Sequence, residues 1–267
     1  MMNNVNVGIV GNGFVGNAVY QNLRDKVKTK IYDVDKNRCL NPLEEVIQQD
    51  FIFVCLPTPM RMDGSCDLSI LDKFFEELPD NLTGTFVIKS TVPVGTTKKY
   101  TERHNVIHNP EFLTARNAVE DYSKAERNVV GGDNELCTDF VSFFEACFPK
   151  IPSVMVSSDE SEAIKYFSNV FLAYKVAYFN KIYDFCQATG MEYDNVRKGV
   201  TGDSRIGKSH TQVPGIDNDR GFGGTCFPKA LNSLITQFEE RDINCDMLKE
   251  VWLYNESIRT VIDWPVT

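Results

Sequence analysis

The run Val5-Asn-Val-Gly-Ile-Val10 passes directly into Gly11-Asn-Gly13-Phe-Val-Gly16, and a helical pattern follows. Strand, glycine turn and helix in that order point to a parallel α/β sheet, in which the turn either only packs helix on strand or, with an acidic residue ending the next strand, binds a dinucleotide. The first glycine makes the turn, the second admits a pyrophosphate, and the third lets helix and strand pack closely. The phosphates are expected on the free N–H groups of the helix start, at Phe14, Val15 and Gly16. Asp33 ends the next strand about twenty residues on, where a ribose hydroxyl needs an acceptor. A carboxylate there repels a 2′-phosphate, which favours NAD over NADP. Arg38 can either offset that repulsion or lie over the adenine.

The alternation continues well beyond this turn. Val5 to Val10, Lys30 to Asp33, Phe51 to Leu56, Thr85 to Lys89, Val106 to His108, Asn128 to Val130 and Val154 to Val156 read as strands. Gly16 to Arg24, Asp67 to Leu78 and Glu135 to Phe148 read as helices between them. Strands joined by helices imply right-handed crossovers and a mostly parallel, doubly wound sheet of Rossmann type, covered on both faces. After Ser157 the alternation stops. A long helix is expected from Asp159 to Thr189, closed by Gly190, and two or three shorter helices after it. The predicted organisation is therefore a dinucleotide-binding domain over 1–157, then a central helix and small helical domain over 158–267.

Composition narrows the partners. Of 267 residues, 42% are hydrophobic and 24% charged, with a net charge of −9 and no long basic run, which argues against nucleic acid or an anionic membrane surface. No apolar stretch is long enough to span a bilayer, and the start Met1-Met-Asn-Asn4 carries no leader pattern. Eight cysteines without Cys-x-x-Cys pairs fit a reduced, cytosolic protein with neither zinc nor disulfides.

One cysteine stands apart. Cys226 lies in Gly221-Phe-Gly-Gly-Thr-Cys-Phe-Pro-Lys229. Gly221, Gly223 and Gly224 would let the backbone crowd a ligand at Phe222, and Pro228 suits the first turn of a helix. A thiol at that helix start, with Lys229 close by, is expected to ionise below the free value of ~8.5. This is how a nucleophilic cysteine is built. Two loops after strands add hydroxyls for ribose, nicotinamide or water: Pro57-Thr58-Pro59, and Ser90-Thr91-Val-Pro-Val-Gly-Thr96. Lys165 and Asn169, spaced i,i+4, share one helix face with Glu162. That face is either a solvated ion pair or, since Asn169 opens an apolar run, a buried pair able to stabilise an oxyanion.

Taken in order, these stretches resemble the UDP-glucose/GDP-mannose dehydrogenase family. The resemblance rests on Gly11 to Gly16, Ser90 to Thr96, Asn109-Pro-Glu-Phe-Leu113, Lys165-Tyr-Phe-Ser-Asn-Val-Phe-Leu-Ala173 and Gly221 to Lys229. It implies an NAD-binding domain, a homodimer through the long helix, and oxidation of a nucleotide-sugar alcohol to a carboxylate with two NAD. It further implies Cys226 as nucleophile, Lys165, Asn169 and Glu111 beside the substrate with Phe112 and Leu113, Thr91 on the catalytic water, and Arg205 reaching a partner subunit's nucleotide. Among the cofactor residues it places Thr58, Ser90, Thr91 and Lys229. The residue chemistry points the same way: thiolate attack on an aldehyde gives a thiohemiacetal that can lose hydride, and water then releases the acid.

Three departures stand against the pattern. The family's second glutamate after Asn-Pro-Glu is Ala115 here, and the aspartate after Cys-Phe-Pro-Lys is Ala230. Loss of a general base costs on the order of 10²–10⁴ in rate, which would slow thioester hydrolysis before oxidation. The family's further sheet domain has no counterpart before Thr267, so a separate chain supplying it is an expected partner. The alternative reading is a degenerate protein that binds NAD or a nucleotide sugar without turnover.

Overall fold

The computed structural model describes residues 5–264 and 266–267; Met1 to Asn4, on which the leader expectation rests, lie outside the described residues. Two compact units emerge. The first runs to Thr58 and resumes from Leu68 to Lys165, and the second comprises Pro59–Asp67 and Tyr166–Thr267.

The first unit is a seven-stranded sheet in the order β2-β1-β3-β4-β5-β6-β7. Its strands are β1 (Asn6–Val10), β2 (Lys28–Tyr32), β3 (Phe51–Val54), β4 (Thr85–Ile88), β5 (Val106–His108), β6 (Asn128–Gly131) and β7 (Ser153–Val156). Its helices are α1 (Phe14–Leu23), α2 (Leu43–Val46), α3 (Ser69–Glu76), α4 (Ala118–Ser123) and α5 (Asn134–Cys147), with a 3-10 turn at Thr97–Tyr100. Every pairing is parallel except β5 with β6. β2 lies on one side of β1 and β3 on the other, so the chain reverses its direction of winding beside β1. Sheets of this kind bind ligands at that switch point, outside the strands' carboxyl ends.

Alternation along each strand sorts side chains into two buried layers. Val7, Ile9, Phe53, Val87, Ile107 and Val130 face α1, α4 and α5, where wholly buried Phe140 alone contributes about 2 kcal/mol. Ile52, Val54, Phe86 and Ile88 face the opposite way, against Val46, Leu71 and Phe75. With both faces covered, β3 reads as an unbroken apolar run, and β4 does so after Thr85. α5 begins where the Asp133 carboxylate accepts from Glu135 N at 2.9 Å and Leu136 N at 3.2 Å.

α6 (Ser158–Thr189) is the long helix the sequence predicts, followed by α7 (Tyr193–Thr201), α8 (Phe227–Glu239) and α9 (Asp246–Ile258). In the second unit Tyr166, Val170 and Ala173 of α6 pack with Leu231 and Leu234 of α8 and Leu248 of α9. Farther along, Phe179 and Cys186 pack with Tyr193 and Val213.

The compact units divide at Lys165 where the sequence suggests a division after residue 157, and Pro59–Asp67 groups with the second. The reason is local pairing. Met60 bridges to Cys66 and to Val266, and Met60 O accepts from Thr267 N at 2.9 Å. Gly64 also packs against Asn232 of α8.

Candidate active site

The glycine turn after β1 is shaped by close approach. Gly11 has φ +91°, and a Cβ on it would stand 2.6 Å from Cys55 O in the neighbouring loop. A Cβ on Gly16 would collide with Gly11 O. Gly13 faces open space, with nothing within 4 Å of where its Cβ would lie. It is also the N-cap of α1, and no side chain caps that helix. Open room in front of uncapped N–H groups is what a pyrophosphate requires, so the turn fits a dinucleotide. Asp33 follows β2; its Oδ2 accepts from Asn12 N at 2.6 Å and its Oδ1 from Asp35 N at 2.8 Å, which fixes the carboxylate beside the turn. Arg38 is exposed and lies 3.5 Å from Asp35, while its carbonyl accepts from Asn12 Nδ2 at 2.8 Å.

The hydroxyls expected on the next two loops have a structural task as well. Thr58 Oγ1 donates to Thr91 O at 2.9 Å, and Ser90 Oγ donates to Leu56 O at 2.6 Å. These bonds lace the loop after β3 to the loop after β4 and hold Thr91 in place.

Lys165 and Glu111 form a buried ion pair, Nζ to Oε1 3.3 Å, with both side chains under 10% exposed. Glu111 Oε2 accepts from Leu113 N at 2.6 Å, so the carboxylate is held at both oxygens. Phe112 lies under two cations, Lys165 at 5.2 Å and Arg127 at 4.4 Å from the ring centroid. Asn169, one turn after Lys165 on α6, is buried with its Nδ2 unpaired. A buried amide donor without an acceptor costs about 1–3 kcal/mol, and a bound oxygen would recover it. Glu162 departs from the expected face. It is wholly buried and accepts from Gly95 N (2.6 Å), Thr97 N (2.7 Å) and Thr97 Oγ1 (2.6 Å), clamping the loop that carries Thr91. Burial holds its carboxyl above the ordinary glutamate range despite those bonds.

Cys226 is the N-cap of α8, half-buried, with Pro228 in the first turn and Lys229 buried just behind it. Its Sγ is 3.7 Å from Thr225 Oγ1. The glycine stretch before it is not open throughout. Gly221 has φ +68°, and a side chain there would strike Asn255; one on Gly223 would strike Arg259 and Asp263. Gly224 alone of the three opens onto space, and its N–H donates to Asp263 Oδ1 at 3.0 Å. The expectation that all three glycines make room for a ligand is therefore corrected: two make room for the protein's own side chains. Phe222, between them, is buried, and its peptide is bonded by Asn255. Arg259 joins this region as a hub, bonding Asp217 at 2.7 Å and Asp263 at 3.0 Å.

Arg205 is exposed and pairs with its neighbour Asp203, Nε to Oδ1 3.0 Å. Ala115 is exposed, and Ala230 is wholly buried in the apolar cluster of the second unit. Sequence reasoning missed Asn255, Arg259, Lys89 and Asn109 as organisers of these loops. Asn109 alone left a trace, in Asn109-Pro-Glu111.

Two family models match the chain in series: the NAD-binding domain of the UDP-glucose/GDP-mannose dehydrogenase family at residues 40–147, and the central domain of the same family at 159–257. The chain belongs to the UDP-glucose/GDP-mannose dehydrogenase family. NAD is its cofactor. It is 34% identical over 245 residues to the UDP-glucose 6-dehydrogenase of Rickettsia conorii, covering 87% of this chain and 55% of that protein. It is 31% identical over 253 residues to UDP-glucose 6-dehydrogenase TuaD of Bacillus subtilis, covering 90% of this chain and 53% of the relative. A UDP-glucose dehydrogenase from the archaeon Pyrobaculum islandicum superposes with a TM-score of 0.83 at 27% identity, over 95% of this chain and 68% of that one. This member of the family thus spans about half the length of the curated relatives it matches.

Proposed function

We propose that this chain oxidises the primary alcohol of a nucleotide sugar, UDP-glucose foremost, to the uronic acid. The observation that carries this reading is the Cys226 thiol at the start of α8, half-buried behind a glycine turn. A nucleophile so placed serves an oxidation that passes through the aldehyde, because the aldehyde must be made into a hydride donor. Bound NAD supplies the hydride acceptor for both oxidations.

The residues divide the remaining work. Cys226 sulfur adds to the aldehyde carbon, and the carbonyl oxygen becomes the alkoxide of a thiohemiacetal. Lys165, anchored by Glu111, and the unpaired Asn169 amide supply donors for that developing charge, each worth roughly 3–4 kcal/mol in such a role. Loss of hydride from the same carbon leaves a thioester on Cys226. Water then adds to the thioester carbonyl, the carbon–sulfur bond breaks, and the thiolate departs as the carboxylic acid forms. Thr91 is suited to hold that water in the loop clamped by Glu162.

A second reading is favoured by Ala230, which is wholly buried among Tyr166, Leu231 and Leu234. With hydrocarbon at that position and at Ala115, hydrolysis slows and the acyl group stays on Cys226. Incubation with NAD and a panel of nucleotide sugars, followed by absorbance and intact mass together, separates the readings. Two NADH per sugar with unmodified protein supports full turnover. A burst of NADH with a stable adduct on Cys226 supports the stalled form. Full activity in Cys226→Ala refutes both.

The same reading includes a homodimer through α6. Phe171, Tyr178 and Phe185 recur every seven residues on that helix and are 67%, 62% and 63% exposed. All eight cysteines are unpaired, which supports a reducing compartment, the cytosol. No helix among the described residues is long and apolar enough to cross a membrane.

A further inference from the structure

Lys89 follows β4 at the ligand-facing end of the sheet and is only 4% exposed. A buried ammonium is costly, and the mechanism above does not use it. Its Nζ donates to Asn109 Oδ1 at 2.8 Å. That bond fixes which way the Asn109 amide points, since Asn109 Nδ2 donates to Asn128 Oδ1 at 2.7 Å and Val129 O at 2.6 Å. Asn109 N also donates to Ile88 O at 2.9 Å. The asparagine is thus bonded on every side, and Glu111 sits two residues beyond it across Pro110. Lys89 and Lys165 are two buried amines acting on one buried carboxylate.

We propose that Lys89 is a positioning residue for Glu111: through Asn109 it sets the Asn109–Glu111 turn and so holds the carboxylate in place for its pairing with Lys165. The surroundings make the Lys89 charge readable. Burial lowers the Lys89 ammonium to about 8, against the opposing pull of Cys55 and Glu111 and with the added repulsion of Lys165. The other titratable groups facing it change charge elsewhere. Burial pushes the Cys55 thiol up to about 12 and His108 down to about 3, and it raises the Tyr122 hydroxyl. The Lys89 ammonium lies 5.7 Å from the Tyr122 ring centroid.

The test uses the whole chain labelled with ¹³C at glutamate carboxyls, the Glu111 signal being assigned by its loss in Glu111→Gln. In the parent, that signal shifts between pH 7 and 9 as Lys89 loses its proton. Lys89→Met removes this shift and moves the Glu111 signal at pH 7 away from its parent position, because the turn is no longer held through Asn109. Lys89→Arg removes the shift but keeps the pH 7 signal near its parent position, because guanidinium stays charged and can still donate to Asn109. A Glu111 signal that is flat between pH 7 and 9 in the parent overturns the proposal, even if Lys89→Met does not fold. So does a parent-like Glu111 signal at pH 7 in folded Lys89→Met. The consequence for turnover rests on the reaction proposed above: kcat falls about tenfold in Lys89→Met with KM little changed, as for neighbours in one hydrogen-bond network. A parent without turnover would count against that reaction alone and leave the carboxyl titration to decide the coupling.

Discussion

Asn255 holds the Phe222 peptide at both ends, accepting from Phe222 N at 2.7 Å and donating to Phe222 O at 3.0 Å. Both residues are buried, so no water can replace these bonds. Four residues after Phe222 stands Cys226, and the turn between them is fixed from α9 rather than by its own sequence. Asn255→Leu leaves a buried N–H and C=O unpaired, at roughly 1–3 kcal/mol each. Asn255→Asp keeps one bond and sets oxygen against oxygen at the other. Urea unfolding should show both variants destabilised, and the aspartate variant should recover at acid pH relative to its own neutral value. Parent-like stability in Asn255→Leu would show that the turn holds itself.

The three glycines after β1 separate folding from cofactor binding. Gly16→Ala collides with Gly11 O, whereas Gly13→Ala meets nothing within 4 Å. Gly16→Ala should therefore lower the melting temperature. Gly13→Ala should leave stability within about 1 kcal/mol, since the change at an uncapped N-cap is small. Its methyl nevertheless enters the space in front of the helix start, and NAD affinity by calorimetry should fall about tenfold, the effect of blocking close approach to a pyrophosphate. Equal NAD affinity in Gly13→Ala and parent would place the dinucleotide elsewhere.

What the sequence disclosed was local. Gly11 to Gly16, the helix start after Cys226 and the length of α6 each depend on residues within one or two turns, and each is in place. The clamps were hidden because their partners are remote in the chain. Glu162 reaches Thr97 across 65 residues, and Asn255 reaches Phe222 across 33. A glutamate three residues before Lys165 looks like part of a polar helix face, and nothing nearby says that two backbone N–H groups await it. The excursion Pro59–Asp67 was hidden likewise, since its bridge partner Val266 lies at the far end of the chain.

His108 sets an acid limit on the first unit. Its Nδ1 is 2.8 Å from Ser161 Oγ and its Nε2 is 3.3 Å from Ser90 O, so the neutral ring with hydrogen on Nε2 satisfies both. Burial above all, with Lys89 and Lys165 nearby, lowers its folded value to about 3 from an ordinary 6.5. Between those values the unfolded chain binds a proton that the folded chain refuses, so stability falls as pH drops below about 6.5. At pH 5 the loss from this group is about 2 kcal/mol relative to pH 7.5. Urea midpoints of parent and His108→Gln at the two pH values isolate it: the parent should lose more than the variant. Equal losses would mean that the imidazole is protonated in place.

Ala230 lies one helical turn after Cys226, and its N–H donates to Cys226 O at 2.9 Å. Residues so spaced share a helix face, with Cβ atoms about 5–6 Å apart. A carboxylate at 230 is therefore in reach of a water approaching an acyl group on the sulfur. The same position is wholly buried among apolar side chains, where a charge is costly. Ala230→Asp should move two readouts in opposite directions. Stability by urea should fall by about 1–3 kcal/mol, while any acyl adduct seen by intact mass on Cys226 should discharge on the order of 10²-fold faster, as expected of a restored general base. A destabilised variant whose adduct persists as long as the parent's would show that the missing carboxylate is not what limits release.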